Sequence, residues 1–395
     1  MHGVDIHRGT PRRSHLSALV VGFGVLYSLT ATWGYEANVD AIAAALPAWS
    51  LVERGTLELG QFADLNPWIV EGTSGYVSNR PPGTFVIAIP GYLVAQSDVF
   101  SNGPATATAV LATVAALCVM YFVLCRVVPE RTALLGSLII GLGTSTWQIS
   151  GDALWPHGPG QFWAALGLLA VANGRYVRSG WMFAIALLTR PITAVSTAAL
   201  ALGQSWRTRS TRPTVAIGIP TALAFAALLT YNVIVFGELS VVGGYGDGLV
   251  ENVTNRGIID HFVNFLGFFF APYTGLYVYS PVLLVATVGT ALAWRGLPDW
   301  VRSAAVAAIA YLAVHSLLNR ASGGLQYGYR YPLEPLVLAA PGLTLGTLRL
   351  ASRSRVLKLA TLASIALSVA IQVLLVWFLE CESGDSIVTC SLLGL

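Results

Sequence analysis

Two carboxylates, Glu36 and Asp40, stand in the polar stretch Gly34-Tyr35-Glu36-Ala37-Asn38-Val39-Asp40 that follows the first apolar run. Four residues apart, they share one face wherever this stretch is helical. A carboxylate held at the edge of a low-dielectric wall suits the abstraction of a proton from an attacking hydroxyl. The plain alternative is a pair of solvated loop acids. The same stretch ends in Ser78-Asn79-Arg80-Pro81-Pro82-Gly83. Its double proline forbids a smooth helix start before it and predicts extended chain there. Arg80 then sits at a water–lipid boundary, either holding a phosphate or serving as an ordinary interfacial anchor.

A second stretch reads Asn319-Arg320-Ala321-Ser322-Gly323-Gly324-Leu325-Gln326-Tyr327-Gly328-Tyr329-Arg330-Tyr331-Pro332. Its glycines let backbone approach a ligand closely. Arg320 and Arg330 offer planar forks for phosphate. Gln326, Tyr327 and Tyr329 add polar and aromatic surface for a polyhydroxylated ligand. An interfacial aromatic belt needs neither Gly323-Gly324 nor two arginines, so a binding role is the better reading.

Two further groups are weaker. Asp152 and His157 flank Trp155-Pro156. A lone Asp–His pair falls short of the three or four ligands that a metal site needs, so no metal is expected. Arg190 lies inside an apolar run, and an ionisable residue at membrane depth is a functional candidate by default. A structural pairing of Arg190 with Asp152 is an equal possibility.

The elements that position these residues are set by composition. Of 395 residues, 55% are apolar and only 10% charged, against about 25% charged in soluble domains. So little charge cannot cover a soluble fold of this size, and most of the surface must face lipid. The apolar runs do not alternate, which excludes a transmembrane barrel. The chain reads as an all-α, polytopic transmembrane helical bundle of about ten or eleven helices. Helices are expected near residues 16–33, 82–97, 105–127, 132–148, 160–174, 180–204, 214–236, 264–294 (broken near Pro272), 303–319, 332–348 and 357–378. No internal repeat or separate soluble domain is visible, so residues 1–395 read as one membrane domain.

Four basic clusters orient the bundle: Arg8 to Arg13, Arg207 to Arg212, Arg295 with Arg302, and Arg349 to Lys358. The positive-inside rule places all four in the cytoplasm. External loops then fall at about 34–81, 237–263 and 320–331, and the tail after residue 379 is external. By parity, residues 149–159 fall on the cytoplasmic side, and Arg175 and Arg178 outside. A re-entrant or broken helix at 82–97 or at Arg190-Pro191 would reverse both placements. Net charge is +3, and no basic stretch is interleaved with exposed aromatics, so nucleic acid is not an expected partner. The first apolar run has a poor cleavage site at Thr32-Trp33-Gly34-Tyr35 and reads as a retained helix. An external tail permits a disulfide between Cys381 and Cys390.

In their order along the chain, these segments resemble the GT-C superfamily of polytopic glycosyltransferases, bacterial members in particular. The series is Asp40, Asn79-Arg80-Pro81-Pro82-Gly83, Asp152 with Trp155-Pro156-His157, Leu188-Thr189-Arg190-Pro191, Tyr231-Asn232-Val233-Ile234-Val235-Phe236-Gly237, Gly275-Leu276-Tyr277-Val278-Tyr279-Ser280-Pro281 and Gly323 to Tyr331. The likeness covers nearly the whole chain. It implies a catalytic base in the first external loop, at Asp40 with Glu36 as rival; the adjacent acidic pair of many members is absent. It further implies a polyprenyl-phosphate sugar as donor, a glycan, lipid or protein acceptor in the cell envelope, membrane lipids as surroundings, and no cofactor. Acceptor recognition is expected within the membrane domain, since the soluble C-terminal domain of several members has no counterpart here.

The expected function is therefore inverting transfer of a hexosyl or pentosyl group on the external face of the plasma (inner) membrane. Arg330, with Arg320 or Arg80, is expected to hold the donor phosphate. A lipid-linked saccharide transporter or flippase is the first rival, though such proteins often carry repeats and paired broken helices. A non-catalytic subunit of an envelope complex is the second, and it would have no need of Asp40 beside the Arg-Tyr-Gly stretch.

Overall fold

A computed structural model describes residues 9–34, 38–245, 248–321 and 327–379. Glu36, Gln326, Cys381 and Cys390 lie outside the described residues. After α1 (Arg13–Thr30) come α2 (Val39–Arg54), a hairpin of β1 (Ile69–Gly72) and β2 (Gly75–Ser78), and two short helices, α3 (Pro82–Val86) and α4 (Ile89–Ala95). The chain then runs back and forth through α5 (Gly103–Leu124), α6 (Glu130–Leu142), α7 (His157–Ala172), α8 (Tyr176–Thr189), α9 (Thr193–Thr208) and α10 (Arg212–Phe236). Two shorter helices follow, α11 (Gly248–Thr254) and α12 (Ile258–Phe270), then one turn, α13 (Leu276–Tyr279). The bundle closes with α14 (Pro281–Ala293), α15 (Asp299–Leu318), α16 (Leu333–Ala351) and α17 (Arg355–Leu374).

The fold is a polytopic membrane bundle, as the apolar runs require. By length and composition, α5, α10, α15 and α17 (extended to Trp377) can each cross a membrane. Burial ranks them. In α5, 67% of the apolar window is buried, whereas α10 and α17 have 22% and 28%. So α5 is a central helix and the other two form the rim. The Ala- and Thr-rich sequence of α5 suits that place, because small side chains let lipid-embedded helices approach closely. The α14–α16 crossing shows the limit of this approach. A Cβ added at Gly346 would stand 2.2 Å from the backbone nitrogen of Thr290, and one at Gly289 would stand 2.3 Å from the carbonyl of Gly346.

The sequence reading errs in two places that cancel. Residues 82–97 do not form one crossing helix; Pro82 and Pro90 start two short helices instead. Residues 180–204 do not form one helix either. The helix ends at Thr189, Arg190 is extended, and α9 begins at Thr193, because the residue before a proline is pushed out of the helical region. One traverse of the bundle is lost and one gained, so the parity of the later clusters is preserved. Between the two errors it is inverted. Residues 149–159 therefore lie at the same end of the bundle as Asp40, and Arg175 and Arg178 lie at the other end with Arg207 and Arg209.

The hairpin is the other departure from an all-α reading. Ile69 pairs with Ser78, Val70 with Val77, Glu71 with Tyr76 and Gly72 with Gly75. Its turn docks on the end of α10. Thr73 donates from its backbone nitrogen to the Val235 carbonyl at 2.9 Å, and from Oγ1 to the Ile234 carbonyl at 2.6 Å. The last carbonyls of a helix lack intrahelical partners, and here the hairpin supplies them.

Candidate active site

Asp40 is the second residue of α2, whose N-cap Asn38 accepts a hydrogen bond from the Asp40 backbone through its side chain. The positive end of the helix dipole favours a carboxylate at that position. Asp40 is buried, and each of its oxygens meets an arginine. Arg80 Nη2 donates to Oδ1 at 2.7 Å, and Arg330 Nη1 donates to Oδ2 at 2.7 Å. Both guanidinium groups are fixed by aromatic rings. Arg80 lies 4.6 Å from the Trp68 ring centroid and donates to the Tyr245 hydroxyl at 3.0 Å. Arg330 lies 5.2 Å from the rings of Trp155 and of Tyr331. Such cation–π contacts gain strength when desolvated.

A second charged cluster adjoins the first across Tyr331, whose ring is 5.6 Å from the Arg190 guanidinium. Arg190 Nη1 is 3.5 Å from Glu334 Oε1 and 2.9 Å from His157 Nδ1. The His157 ring approaches Glu334 at 3.0 Å, and the Tyr311 hydroxyl donates to Glu334 at 3.2 Å. Local structure sets this up. The break before Pro191 frees Arg190 from α8, and Gly83 lets α3 pack against that helix end, where a Cβ would stand 2.5 Å from the Thr189 nitrogen.

Both clusters line one cavity of about 800 Å³. Asp40, Arg80, His157, Arg190 and Arg330 form its polar end. Much of its remaining wall is apolar, built from Ile192 and Val195 of α9, Phe225 and Leu228 of α10, and Val314 and Leu318 of α15, with polar side chains such as Asn79, Asn232, His315 and Asn319 among them. Three guanidinium groups, Arg80, Arg190 and Arg330, meet two carboxylates, Asp40 and Glu334, which leaves one positive charge in excess among these five groups.

Of the residues singled out from sequence, Asp40, Arg80, His157, Arg190 and Arg330 are brought together, although Asp40 and Arg330 lie 290 positions apart. Others are not. Asp152 is outside the cavity lining, and its Oδ1 accepts from the backbone nitrogen and hydroxyl of Thr32 at 2.8 Å, tying the end of α1 to the segment before α7. It is not the partner of Arg190; Glu334 is. Tyr329 is buried in the core, with its hydroxyl 2.8 Å from Ser280 Oγ. Tyr327 is exposed beside Tyr273. Arg320 is exposed and does not line the cavity.

Sequence reasoning missed Glu334, Trp68 and Tyr245 and left His315 without a role, all in or beside this cavity, where Tyr331, the last tyrosine of the Gly-Tyr-Arg-Tyr stretch, also lies. The rule that flagged Arg190 applies equally to Glu334, an acid in the apolar run after Pro332. His315 is buried, its ring 4.4 Å from that of Tyr331, and neither ring nitrogen has a hydrogen-bond partner among the described residues.

The fold is that of a multi-pass membrane helical bundle, and it is similar to solved structures of membrane proteins. The crystal structure of ArnT from Cupriavidus metallidurans bound to undecaprenyl phosphate matches over 94% of this chain and 77% of its own, with a TM-score of 0.57 and 13% identity. Its apo form matches over 89% and 61%, with a TM-score of 0.50 and 14% identity. The archaeal oligosaccharyltransferase AglB from Archaeoglobus fulgidus, in complex with an inhibitory peptide and a dolichol-phosphate, matches over 95% of this chain and 56% of its own, at 0.57 and 12%. No protein-family model and no curated protein sequence matches the chain.

Proposed function

We propose that this chain is an inverting glycosyltransferase that moves a sugar from a polyprenyl phosphate to a hydroxyl acceptor at the external face of the membrane. One observation carries the reading: a buried carboxylate, Asp40, is clamped between Arg80 and Arg330 in a cavity much of whose remaining wall is apolar. An amphiphile with an anionic head and a long hydrocarbon tail is complementary to that division. The two solved relatives of this fold that hold undecaprenyl phosphate and dolichol-phosphate support the same ligand class.

In the proposed reaction the tail lies along α9, α10 and α15, and the phosphate meets Arg330 and Arg190. A carboxylate has about four lone-pair sites. Two on Asp40 serve arginines, so an acceptor hydroxyl has room to donate there. Asp40 takes its proton as the oxygen attacks the anomeric carbon. The bond from that carbon to the phosphate oxygen breaks, and its electron pair goes to the phosphate. The guanidinium groups stabilise the growing charge, work best done by donors fixed in advance. Displacement from the opposite face inverts the anomeric centre. The reaction as proposed uses no metal ion or cofactor.

External placement is supported by the basic residues at the end opposite the cavity, Arg175, Arg178, Arg207, Arg209 and Arg295, since such clusters stay in the cytoplasm. The test is transfer by purified protein in liposomes from polyprenyl-phosphate pentoses and hexoses. Release of polyprenyl phosphate coupled to glycoside formation is expected with at least one donor. Absence of turnover with every donor, from protein that binds polyprenyl phosphate, would reject the enzyme.

A further inference from the structure

The hairpin carries a polar pair that the proposed reaction leaves unused. Ile69 is paired with Ser78, and the ladder extends one step further, with the Asn79 backbone nitrogen donating to the Trp68 carbonyl at 3.0 Å. Opposed residues on an antiparallel pair project to the same face, and both Trp68 and Asn79 line the cavity. Trp68 Nε1 is a donor and Asn79 Oδ1 an acceptor. Each is buried without a hydrogen-bond partner among the described residues. Leaving such groups unpaired is costly, so a ligand that supplies the missing partners gains correspondingly.

Their location says which ligand. Trp68 is stacked under Arg80, which holds one oxygen of Asp40. Arg330 holds the other oxygen, and Tyr331 lies against both Arg330 and Arg190. In displacement at the anomeric carbon, nucleophile and leaving group occupy opposite faces of that carbon. If the phosphate sits with Arg330 and Arg190, the attacking hydroxyl must come from the Arg80 side. We infer that Trp68 and Asn79 form the acceptor subsite, and that they select an uncharged polyol by pairing one hydroxyl oxygen with the indole N–H and one hydroxyl proton with the amide oxygen. Trp68 and Asn79 are uncharged, and the cation shown beside them among the described residues, Arg80, is already bonded to Asp40, so the pair itself offers an anionic acceptor no counter-charge. This inference rests on the proposed reaction for its orientation.

The probes are methyl glycosides of common pentoses and hexoses, with sugar phosphates as the anionic comparison. Saturation-transfer NMR on detergent-solubilised protein preloaded with polyprenyl phosphate reads their binding without turnover. Glycoside signals are expected with wild type. They should weaken about tenfold in affinity with Trp68→Phe, which keeps a ring under Arg80 but loses the N–H, and with Asn79→Leu. Polyprenyl phosphate affinity in both variants should stay at the wild-type level, which also reports folding. Wild type that binds no glycoside, variants that bind glycosides as wild type does, or preferential binding of sugar phosphates would each overturn the subsite. Glycoside binding as expected without transfer from any donor would instead reject the enzymatic reading and leave a polyol-binding site.

Discussion

Glu334 and Arg190 allow stability and function to be separated. Glu334 is 2% exposed and makes close contacts to Arg190, His157 and Tyr311. Glu334→Gln keeps the shape and can still hydrogen-bond to His157 and Tyr311, but it leaves Arg190 without a counter-charge. Breaking a buried pair from one side costs roughly 3–5 kcal/mol. Arg190 borders the cavity, so partial hydration puts this case at the lower end, about 3 kcal/mol. Arg190→Met should cost a similar amount, because it strands the carboxylate. Removing both charges is often close to neutral, so the double variant should recover most of the stability, giving a coupling of roughly 2 kcal/mol or more. Thermal unfolding in detergent, followed by the monodisperse fraction, reads these differences. Polyprenyl phosphate binding reads the other half. If Arg190 serves the phosphate, the double variant is stable and binds at least tenfold more weakly. Additive losses of stability would refute the buried pairing. A stable double variant with wild-type binding would refute the role of Arg190 in the site.

Four smaller predictions follow from the same geometry. Arg330→Lys keeps the charge but loses the planar fork, so polyprenyl phosphate should bind about tenfold more weakly; wild-type affinity would remove Arg330 from the phosphate site. Arg320→Ala should change binding less than twofold, because this side chain is exposed beyond the cavity, and a large loss would place it back in the site. Gly346→Val meets the backbone of α14 and should destabilise by roughly 1–3 kcal/mol, as overpacking does; an unchanged unfolding midpoint would contradict the close helix crossing. With the tail cysteines replaced by serine, Ser74→Cys and Asn173→Cys should be labelled by impermeant reagents from opposite sides of the membrane, and labelling from one side would overturn the reassigned crossings.

The bundle was legible because lipid imposes a simple rule: a helix that crosses must be apolar along its length. Its boundaries were less so. Arg190-Pro191 sits in a run apolar enough to read as one helix, and only the conformational cost before proline reveals two. Pro82 and Pro90 act likewise. The hairpin Ile69–Ser78 was hidden by its brevity and by a polar loop that gives no periodic signal. Within the site, Asp40 and Arg80 were readable from type and placement. The approach of Arg330 to Asp40 was not, because spacing cannot reveal a contact made across the whole bundle. The choice among Tyr327, Tyr329 and Tyr331 depends on which face of an irregular segment turns inward. Tyr329 turns to the core and Tyr331 to the cavity, and nothing local to Gly328-Tyr329-Arg330-Tyr331 decides that. Glu334 was overlooked although the cost of an unpaired acid at membrane depth marks it as surely as it marks Arg190.

The most direct test of the account is the rate of transfer by Asp40→Asn alongside its affinity for polyprenyl phosphate. Asparagine keeps the shape and can still accept a hydrogen bond from Arg80 or Arg330, but it takes no proton. General-base assistance is worth about 10²–10⁴ in rate. The account predicts a fall in turnover of that order, polyprenyl phosphate bound no more weakly than by wild type since two guanidinium groups have been freed, and little loss with Glu36→Gln. Near-normal turnover in Asp40→Asn, with the loss appearing in Glu36→Gln or in neither, would contradict the assignment of Asp40 as the base.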